Sequence, residues 1–362
     1  MGQSHAAEDR LIGQALTLLS DDAGMAALIV QWLLFGACAL LILAAGPKLT
    51  RNAEIIAAKK GLSDDWIGLI LLASITSLPE LAAGISSVSI AHAPQIAVGA
   101  IFGSCVFNLV MLVVLDFAVR GESVYRRARQ GHILSSGFGI MLIGFAGLSM
   151  MVGGLAIIPA IGHFSAASVA IVLLYVIATR AIYSYEANAQ DSAAQKVARE
   201  PSATSLPRAQ TWVLVAAVAI LAGGSMLPVV GATIADQMGM GRGFVGTIFV
   251  AAATSLPELA VSMAALRQGS VNMAIANLLG SNLFNILILA VEDGLYLDGP
   301  LLDSAAPIHG ATAMAAMVMS GVVIIGLLYR PQTRLFRAVG WISITLFTVY
   351  LVNVYVIYIS SI

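Results

Sequence analysis

The chain has 362 residues, of which 59% are hydrophobic and only 10% charged, and its mean hydropathy is +0.93. This composition excludes an ordinary soluble domain and predicts an integral membrane protein. The formal net charge of −1 favours neither a nucleic-acid nor an acidic partner, because the charges fall in short loops. Cys38 and Cys105 lie in apolar stretches and are expected to be small buried residues. The five histidines lack metal-ligand spacing, so we expect no cofactor.

Residues 1–24 precede the first long apolar stretch. They are polar and acidic, unlike a secretory signal peptide. Several apolar residues in this segment fall on one helical face: Leu11, Ile12, Ala15, Leu16 and Leu19. The pattern favours a short helix on the membrane surface, with a disordered tail as the alternative.

Ten apolar stretches follow, each long enough to cross a hydrocarbon core of about 30 Å. We predict spans over 25–46, 64–87, 95–117, 131–152, 157–182, 211–236, 244–266, 270–291, 305–328 and 336–358. If both termini lie outside, 16 of the 18 Lys and Arg residues fall in cytoplasmic loops, which is the positive-inside pattern. We therefore expect a multi-pass protein of the plasma (inner) membrane with both termini outside.

The longest connection, 185–210, is polar and predicts a cytoplasmic linker between two halves, 25–184 and 211–362. The halves repeat two motifs. TSLPELA begins at Thr76 and again at Thr254, and GSCVFN from Gly103 matches GSNLFN from Gly280. The repeat motifs cover 73–108 and 251–285. Because each half has an odd number of spans, the fold class is all-α integral membrane, with ten transmembrane helices as two inverted five-helix repeats.

Each TSLPE motif places a proline and an acid inside an apolar span. Pro79 and Pro257 each remove one helical hydrogen bond, which predicts a broken helix whose freed carbonyl oxygens face a site. Glu80 and Glu258 are functional candidates, because an acid inside the membrane is costly. Asp116 and Asp293 also match across the halves, but they lie near span ends, where solvated acids are ordinary.

Hydroxyl and amide groups surround these acids along the chain. Ser104 and Asn108 are four residues apart and share a helix face, as do Ser281 and Asn285. Together with Thr76, Ser77, Thr254 and Ser255 they make an all-oxygen donor set, which suits Ca²⁺ or Na⁺. The alternative is that the Ser and Thr hydroxyls bond to their own backbone and the prolines only kink the helices.

These motif pairs resemble the two inverted α-repeats of the cation/calcium exchanger family. The resemblance implies that spans 2, 3, 7 and 8 form a core across which spans 1 and 6 slide. It implies that Glu80 and Glu258 bind Ca²⁺ together with the carbonyls of Thr76 and Thr254. It further implies that Asn108 and Asn285 complete the centre of the site. The flanking Na⁺ sites would be lined by Ser77, Ser104, Ser255, Ser281 and the carbonyls of Ala73 and Ala251.

Departures from the family pattern bear on the coupling ion. Many sodium/calcium members carry aspartate at one of the two positions where this chain has Asn108 and Asn285, so the site holds at most two formal negative charges. Cys105 stands where members commonly have asparagine, as the second copy does at Asn282. The proton/calcium branch of the family usually has a GNxxE element in place of TSLPE. The absence of GNxxE from this chain favours sodium as the coupling ion.

The implied function is an antiporter that exports Ca²⁺ in exchange for Na⁺, and the alternative is H⁺/Ca²⁺ exchange, since buried carboxylates can also carry protons. A passive channel would need a continuous polar pore. An enzyme would need a reactive pair, and Ser77 and Ser255 lack a histidine partner at similar depth, so we expect no enzyme. Ca²⁺ and Na⁺ are then substrates, the lipid bilayer is the other partner, and we expect a monomer.

Overall fold

The structure is a computed structural model that describes residues 2–59, 72–119, 122–153, 159–190, 204–331 and 340–361. Within these ranges the chain is helical apart from connecting loops and one short antiparallel hairpin. Nine of the helical stretches in this part of the chain are long and apolar enough to cross a membrane. The protein is therefore an all-helical, multi-pass membrane protein.

The described ranges contain fourteen α-helices, one π-helix and one two-stranded hairpin. In chain order they are α1 (Gly2–Lys59), α2 (Leu72–Thr76), α3 (Leu78–Ser89), α4 (Pro94–Ala118), α5 (Val124–Arg127), α6 (Gly131–Gly153), β1 (Ala160–Ile161), β2 (Phe164–Ser165), α7 (Ala166–Gln190), α8 (Leu206–Met238), α9 (Arg242–Phe244), a π-helix (Val245–Val250), α10 (Ala251–Thr254), α11 (Leu256–Arg267), α12 (Val271–Leu295), α13 (Pro307–Tyr329) and α14 (Trp341–Ile359).

The first helix is longer than the predicted span at 25–46. α1 runs without interruption from Gly2 to Lys59, so residues 2–24 continue the same helix. Its apolar section packs along α8 and leaves large side chains such as Leu33 and Leu40 exposed. An exposed apolar face is what a helix at the lipid boundary requires, because lipid tails are as apolar as the side chains.

The predicted second span, 64–87, is described only in part, since residues 60–71 lie outside the described ranges. Its described portion consists of α2 and α3, which are separated at Ser77. The matching span of the second half is also in pieces: the π-helix, α10 and α11 follow one another. The count of ten spans and the inverted arrangement of the halves stay predictions.

α4 and α12 form the centre of the bundle. Each has 25 residues, and 83% and 78% of their most apolar windows are buried, the highest values among the membrane-length helices described. They pack against each other and against the interrupted segments. Gly103 makes one of these contacts possible, because a Cβ atom there would collide with the carbonyl of Thr247. This glycine therefore permits the close approach of α4 to the π-helix.

Two histidines that the sequence analysis did not pair occupy matching positions in the two halves. His132 at the start of α6 has Nε2 3.2 Å from Asn272 Oδ1. His309 at the start of α13 has Nε2 2.9 Å from Gln95 Oε1. Both histidines, and both amides, are 177 positions apart in the chain. The same interaction therefore ties α6 to α12 in one place and α13 to α4 in another.

Candidate cation site

Both TSLPE segments break their helices at the serine. Ser77 has φ −88° and ψ 13°, and Ser255 has φ −85° and ψ 5°, and a new helix starts at the next residue. Pro79 and Pro257 then occupy the first turn of α3 and of α11, where a missing N–H costs nothing. The predicted helix breaks are confirmed, and they have the same local form in both halves.

The two breaks contact each other through reciprocal hydrogen bonds. Ser77 Oγ donates to Glu258 Oε1 at 3.1 Å, and Ser255 Oγ donates to Glu80 Oε1 at 2.8 Å. Both carboxyl groups are shielded from solvent, with Glu80 3% and Glu258 0% exposed. The serine of each half therefore orients the acid of the other, which fixes the two carboxylates relative to each other.

Several buried oxygen atoms around the acids have no hydrogen-bond partner in the described part of the chain. They are Oε2 of Glu80, Oε2 of Glu258, Oγ of Ser104, Oδ1 of Asn108 and Oδ1 of Asn285. Buried polar atoms are normally hydrogen-bonded, and unpartnered ones in a native fold call for an explanation such as a missing ion. These atoms all belong to residues that the sequence analysis selected. Carboxylate, hydroxyl and amide oxygens are the ligands that Ca²⁺ and Na⁺ take.

The carbonyls of Ala73 and Ala251 are also buried at the two breaks. Ala73 O accepts from Ser77 N at 3.1 Å and from Thr76 Oγ1 at 3.2 Å, and Ala251 O accepts from Ser255 N and Thr254 Oγ1 at the same distances. For the hydroxyl of Thr254 the alternative interpretation therefore holds, since it bonds to its own backbone, whereas Thr76 Oγ1 also lies 3.2 Å from Asn277 Oδ1. All twelve residues selected from the sequence are buried.

Sequence reasoning missed two asparagines that hold the site together. Asn277 accepts from Thr76 Oγ1 at 3.2 Å and donates to the carbonyl of Glu258 at 3.3 Å. Asn282 accepts from Asn108 Nδ2 at 3.1 Å and donates to the carbonyl of Cys105 at 3.2 Å. A signal existed for Asn277, because it lies four residues before Ser281 on the same helix face.

Neither asparagine has a polar equivalent in the first half. The positions 177 residues earlier are Ala100 and Cys105, so a comparison of the two motifs could not reveal these contacts. Cys105 is buried as expected, with Sγ 3.9 Å from the carbonyl of Asn282. Cys38 is only partly buried, contrary to expectation, because it lies on the peripheral helix α1.

Asp116 and Asp293 stabilise the loops that follow α4 and α12. Asp116 Oδ1 accepts from Val124 N at 2.9 Å, and Asp293 Oδ1 accepts from Leu301 N at 2.7 Å. Both acids are 0% exposed. The structural interpretation of this pair is supported, but the expectation that they are solvated was wrong, since backbone N–H groups satisfy them inside the protein.

The protein is thus a helical membrane protein with two buried glutamates at helix breaks that contact each other. This arrangement is typical of proteins that carry ions across a membrane. The chain belongs to the sodium/calcium exchanger protein family, whose model matches residues 30–184 and 209–356. This is a family of transporters, and the protein is not an enzyme.

The curated relatives differ in how much of the chain they match. "Inner membrane protein YrbG" of Escherichia coli is 25% identical over 319 residues, which is 87% of this chain and 94% of that protein. "Putative antiporter CaxA" of Alkalimonas amylolytica is 35% identical over 152 residues, 41% of this chain and 46% of that protein. "Sodium/calcium exchanger MaX1" of Methanosarcina acetivorans is 42% identical over 62 residues, 17% of this chain and 18% of that protein.

Solved structures of the sodium-calcium exchanger NCX_Mj share the fold. One, soaked with Na⁺ and Sr²⁺, has a TM-score of 0.59 at 22% identity and covers 91% of this chain and 99% of its own. Another, soaked without Na⁺ and Ca²⁺, has a TM-score of 0.56 at 23% identity, with 90% of this chain and 98% of its own covered.

Proposed function

We propose that this protein exports Ca²⁺ in exchange for Na⁺ by exposing one buried site to each side of the membrane in turn. The observation that carries the proposal is the pair of reciprocal serine–glutamate hydrogen bonds, together with one oxygen of each carboxylate that has no partner among the described residues. Membership of the sodium/calcium exchanger family supports it. Two carboxylates balance the charge of one Ca²⁺, so the loaded site is neutral. A neutral site costs little to keep buried while its exposure changes from one side to the other.

The ligands we propose are those selected from the sequence. Glu80 and Glu258 bind Ca²⁺ with the carbonyls of Thr76 and Thr254, and they bind Na⁺ when Ca²⁺ has left. The other members of the set complete the Na⁺ sites and the centre: Ser77, Ser104, Ser255, Ser281, the carbonyls of Ala73 and Ala251, Asn108 and Asn285. Because both ions use the same carboxylates, they compete, and competition at one site is what couples their fluxes.

Movement of α1 and α8 over the core is the proposed gate. The two helices pack along each other, and α8 also packs on α3, where Gly224 lies against Pro79 and Ala82. A shift of α8 would therefore uncover the first helix break. We further propose that the protein lies in the plasma (inner) membrane with both termini outside, as the distribution of Lys and Arg indicates.

A second candidate is exchange of H⁺ for Ca²⁺. It is favoured by the complete burial of both carboxyl groups, because a proton can take the place of a cation on an otherwise unpartnered oxygen. The TSLPE motif in both halves supports sodium instead.

The test is uptake of ⁴⁵Ca²⁺ into liposomes that contain purified protein and are loaded with Na⁺. Dilution into choline buffer should give uptake, and dilution into Na⁺ buffer should not. Glu80→Gln and Glu258→Gln should each lower uptake by at least about 100-fold, since each removes half of the charge that balances Ca²⁺. The matched control is Glu122→Gln, because Glu122 is exposed and pairs with Arg127 at 2.8 Å.

Two outcomes would contradict the sodium assignment or the site. Uptake that persists without Na⁺ under a pH gradient would establish protons as the coupling ion. Uptake that survives in both glutamate variants at the level of Glu122→Gln would place the site elsewhere.

A further inference from the structure

A third buried acid, Glu292, takes no part in the site described above. It lies near the end of α12 and is 0% exposed. Both of its carboxyl oxygens lack a hydrogen-bond partner within the part of the chain that the structure describes. The residue 177 positions earlier is Leu115, so Glu292 is a feature of the second half alone.

Glu292 extends the row of polar groups that leads away from the site. It follows Ser281 by eleven positions and Asn285 by seven, spacings that keep all three on one face of α12. Its carboxyl group lies against Gly84 of α3, where a Cβ atom would collide with it. Gly84 follows Glu80 by four residues, so the point at which Glu292 contacts α3 lies about 6 Å along the helix axis from Glu80.

Among the described residues, no Lys, Arg or His forms a hydrogen bond or ion pair with Glu292. α3 and α12 contain no Lys, Arg or His, and Arg129 and His132 both contact Asn272, which lies at the opposite end of α12. His163 near this end has Nε2 3.1 Å from the carbonyl of Gly294. The nearby acids are Glu80 on α3 and Asp293, whose oxygens accept from Ser165 N and Leu301 N, and Asp303, which lies against Gly153 of α6.

These surroundings decide what Glu292 can bind. A buried ionised carboxylate without a partner is strongly unfavourable, whereas a neutral carboxylic acid leaves only one donor unsatisfied. A Ca²⁺ ion needs six to eight oxygen ligands, and a lone carboxyl group supplies at most two. One proton needs a single oxygen.

We infer that Glu292 is a proton-binding site. It holds a proton while α3 and α12 are packed together. It releases that proton to water when water enters the interface between the two helices. α8 packs on α3 beside this interface, where Ser86 Oγ donates to the carbonyl of Ser225 at 2.6 Å. The link between this proton and transport rests on the proposed function, in which α8 moves. The binding of the proton itself does not depend on the proposed function.

A spectroscopic experiment tests the proton without needing transport. The protein carrying Glu80→Gln and Glu258→Gln, in lipid nanodiscs at neutral pH, should show infrared absorption from a protonated carboxyl group. Adding Glu292→Gln should remove one such band, Glu292→Asp should keep it at a shifted frequency, and Glu122→Gln should leave it unchanged. An unchanged spectrum after Glu292→Gln would overturn the inference, as would a spectrum without the band before it.

The pH profile of ⁴⁵Ca²⁺ flux tests the coupling. At saturating Ca²⁺, which keeps Glu80 and Glu258 occupied, acid should favour the packed conformation and slow wild-type flux by up to about tenfold per pH unit, the limit for one proton. Glu292→Gln mimics the protonated acid, so its flux should be slow and flat with pH, and Glu292→Asp should restore the dependence. Equal profiles for wild type and Glu292→Gln would disprove the coupling. Absence of Ca²⁺ flux in every protein would refute the proposed function and leave the spectroscopic result to decide the proton site.

Discussion

Glu80 in the first half and Glu258 in the second half follow helix breaks of the same form, yet their surroundings differ. Glu80 accepts one hydrogen bond, from the hydroxyl of Ser255. Glu258 accepts two, from Ser77 at 3.1 Å and from Ser281 at 3.4 Å. Asn277 also holds the backbone of Glu258, and its counterpart in the first half is Ala100. The repeat thus duplicates the acid and the break, and the second half adds polar support that the first half lacks.

The loops outside the site show the opposite behaviour. Asp116 and Asp293 each accept from a backbone N–H eight residues further along, at Val124 and Leu301. The two halves therefore preserve the hydrogen bonds that hold these loops, whereas Glu258 receives contacts from Asn277 and Ser281 that have no equivalent at Glu80. Variants made in matched pairs can separate these two kinds of similarity.

The largest effect is expected for the buried loop acids. Asp116→Ala and Asp293→Ala should each lower the free energy of unfolding by about 3 kcal/mol, because each leaves buried hydrogen-bond donors unsatisfied. Thermal unfolding in detergent measures this, with the exposed Asp298→Ala as the control. Loss of Ca²⁺ flux from either protein while its stability stays normal would mean that these acids belong to the ion pathway.

An intermediate effect is expected for the reciprocal serines. Ser255→Ala should weaken Ca²⁺ binding by about tenfold, since Glu80 has only that hydroxyl within hydrogen-bond distance among the described residues. Ser77→Ala should weaken it by about threefold, because Ser281 still donates to Glu258. Titration of Ca²⁺ against the purified proteins gives both values. Equal losses, or the reverse order, would show that the two acids are equally supported.

The smallest effect is expected for the asparagine found only in the second half. Asn277→Ala should weaken Ca²⁺ binding by about fivefold, the equivalent of one neutral hydrogen bond. Asn52→Ala is the control, because Asn52 donates to the carbonyl of Lys48 within its own helix and lies away from the site. Unchanged Ca²⁺ affinity in Asn277→Ala would reduce the contact with Thr76 to a packing feature.

Glu292 shows where sequence reasoning stopped. The predicted eighth span ends at residue 291, so Glu292 lies just outside it and the sequence analysis does not select this acid. The two acids are neighbours in the chain and both are buried. They differ in that Asp293 reaches two backbone N–H groups, whereas Glu292 turns toward Gly84 and finds no partner among the described residues.

The sequence by itself determined that the chain is a helical membrane protein and that its helices break at the TSLPE motifs, and it selected the two acids that we propose as ligands. These are local properties: apolar length decides a span, a proline lacks an N–H, and an acid in an apolar stretch is costly wherever the chain goes. Only the tertiary structure decided that Ser77 orients Glu258, that His309 meets Gln95, and that Glu292 faces Gly84. Those partners are far apart in sequence, and packing of the helices alone brings them together.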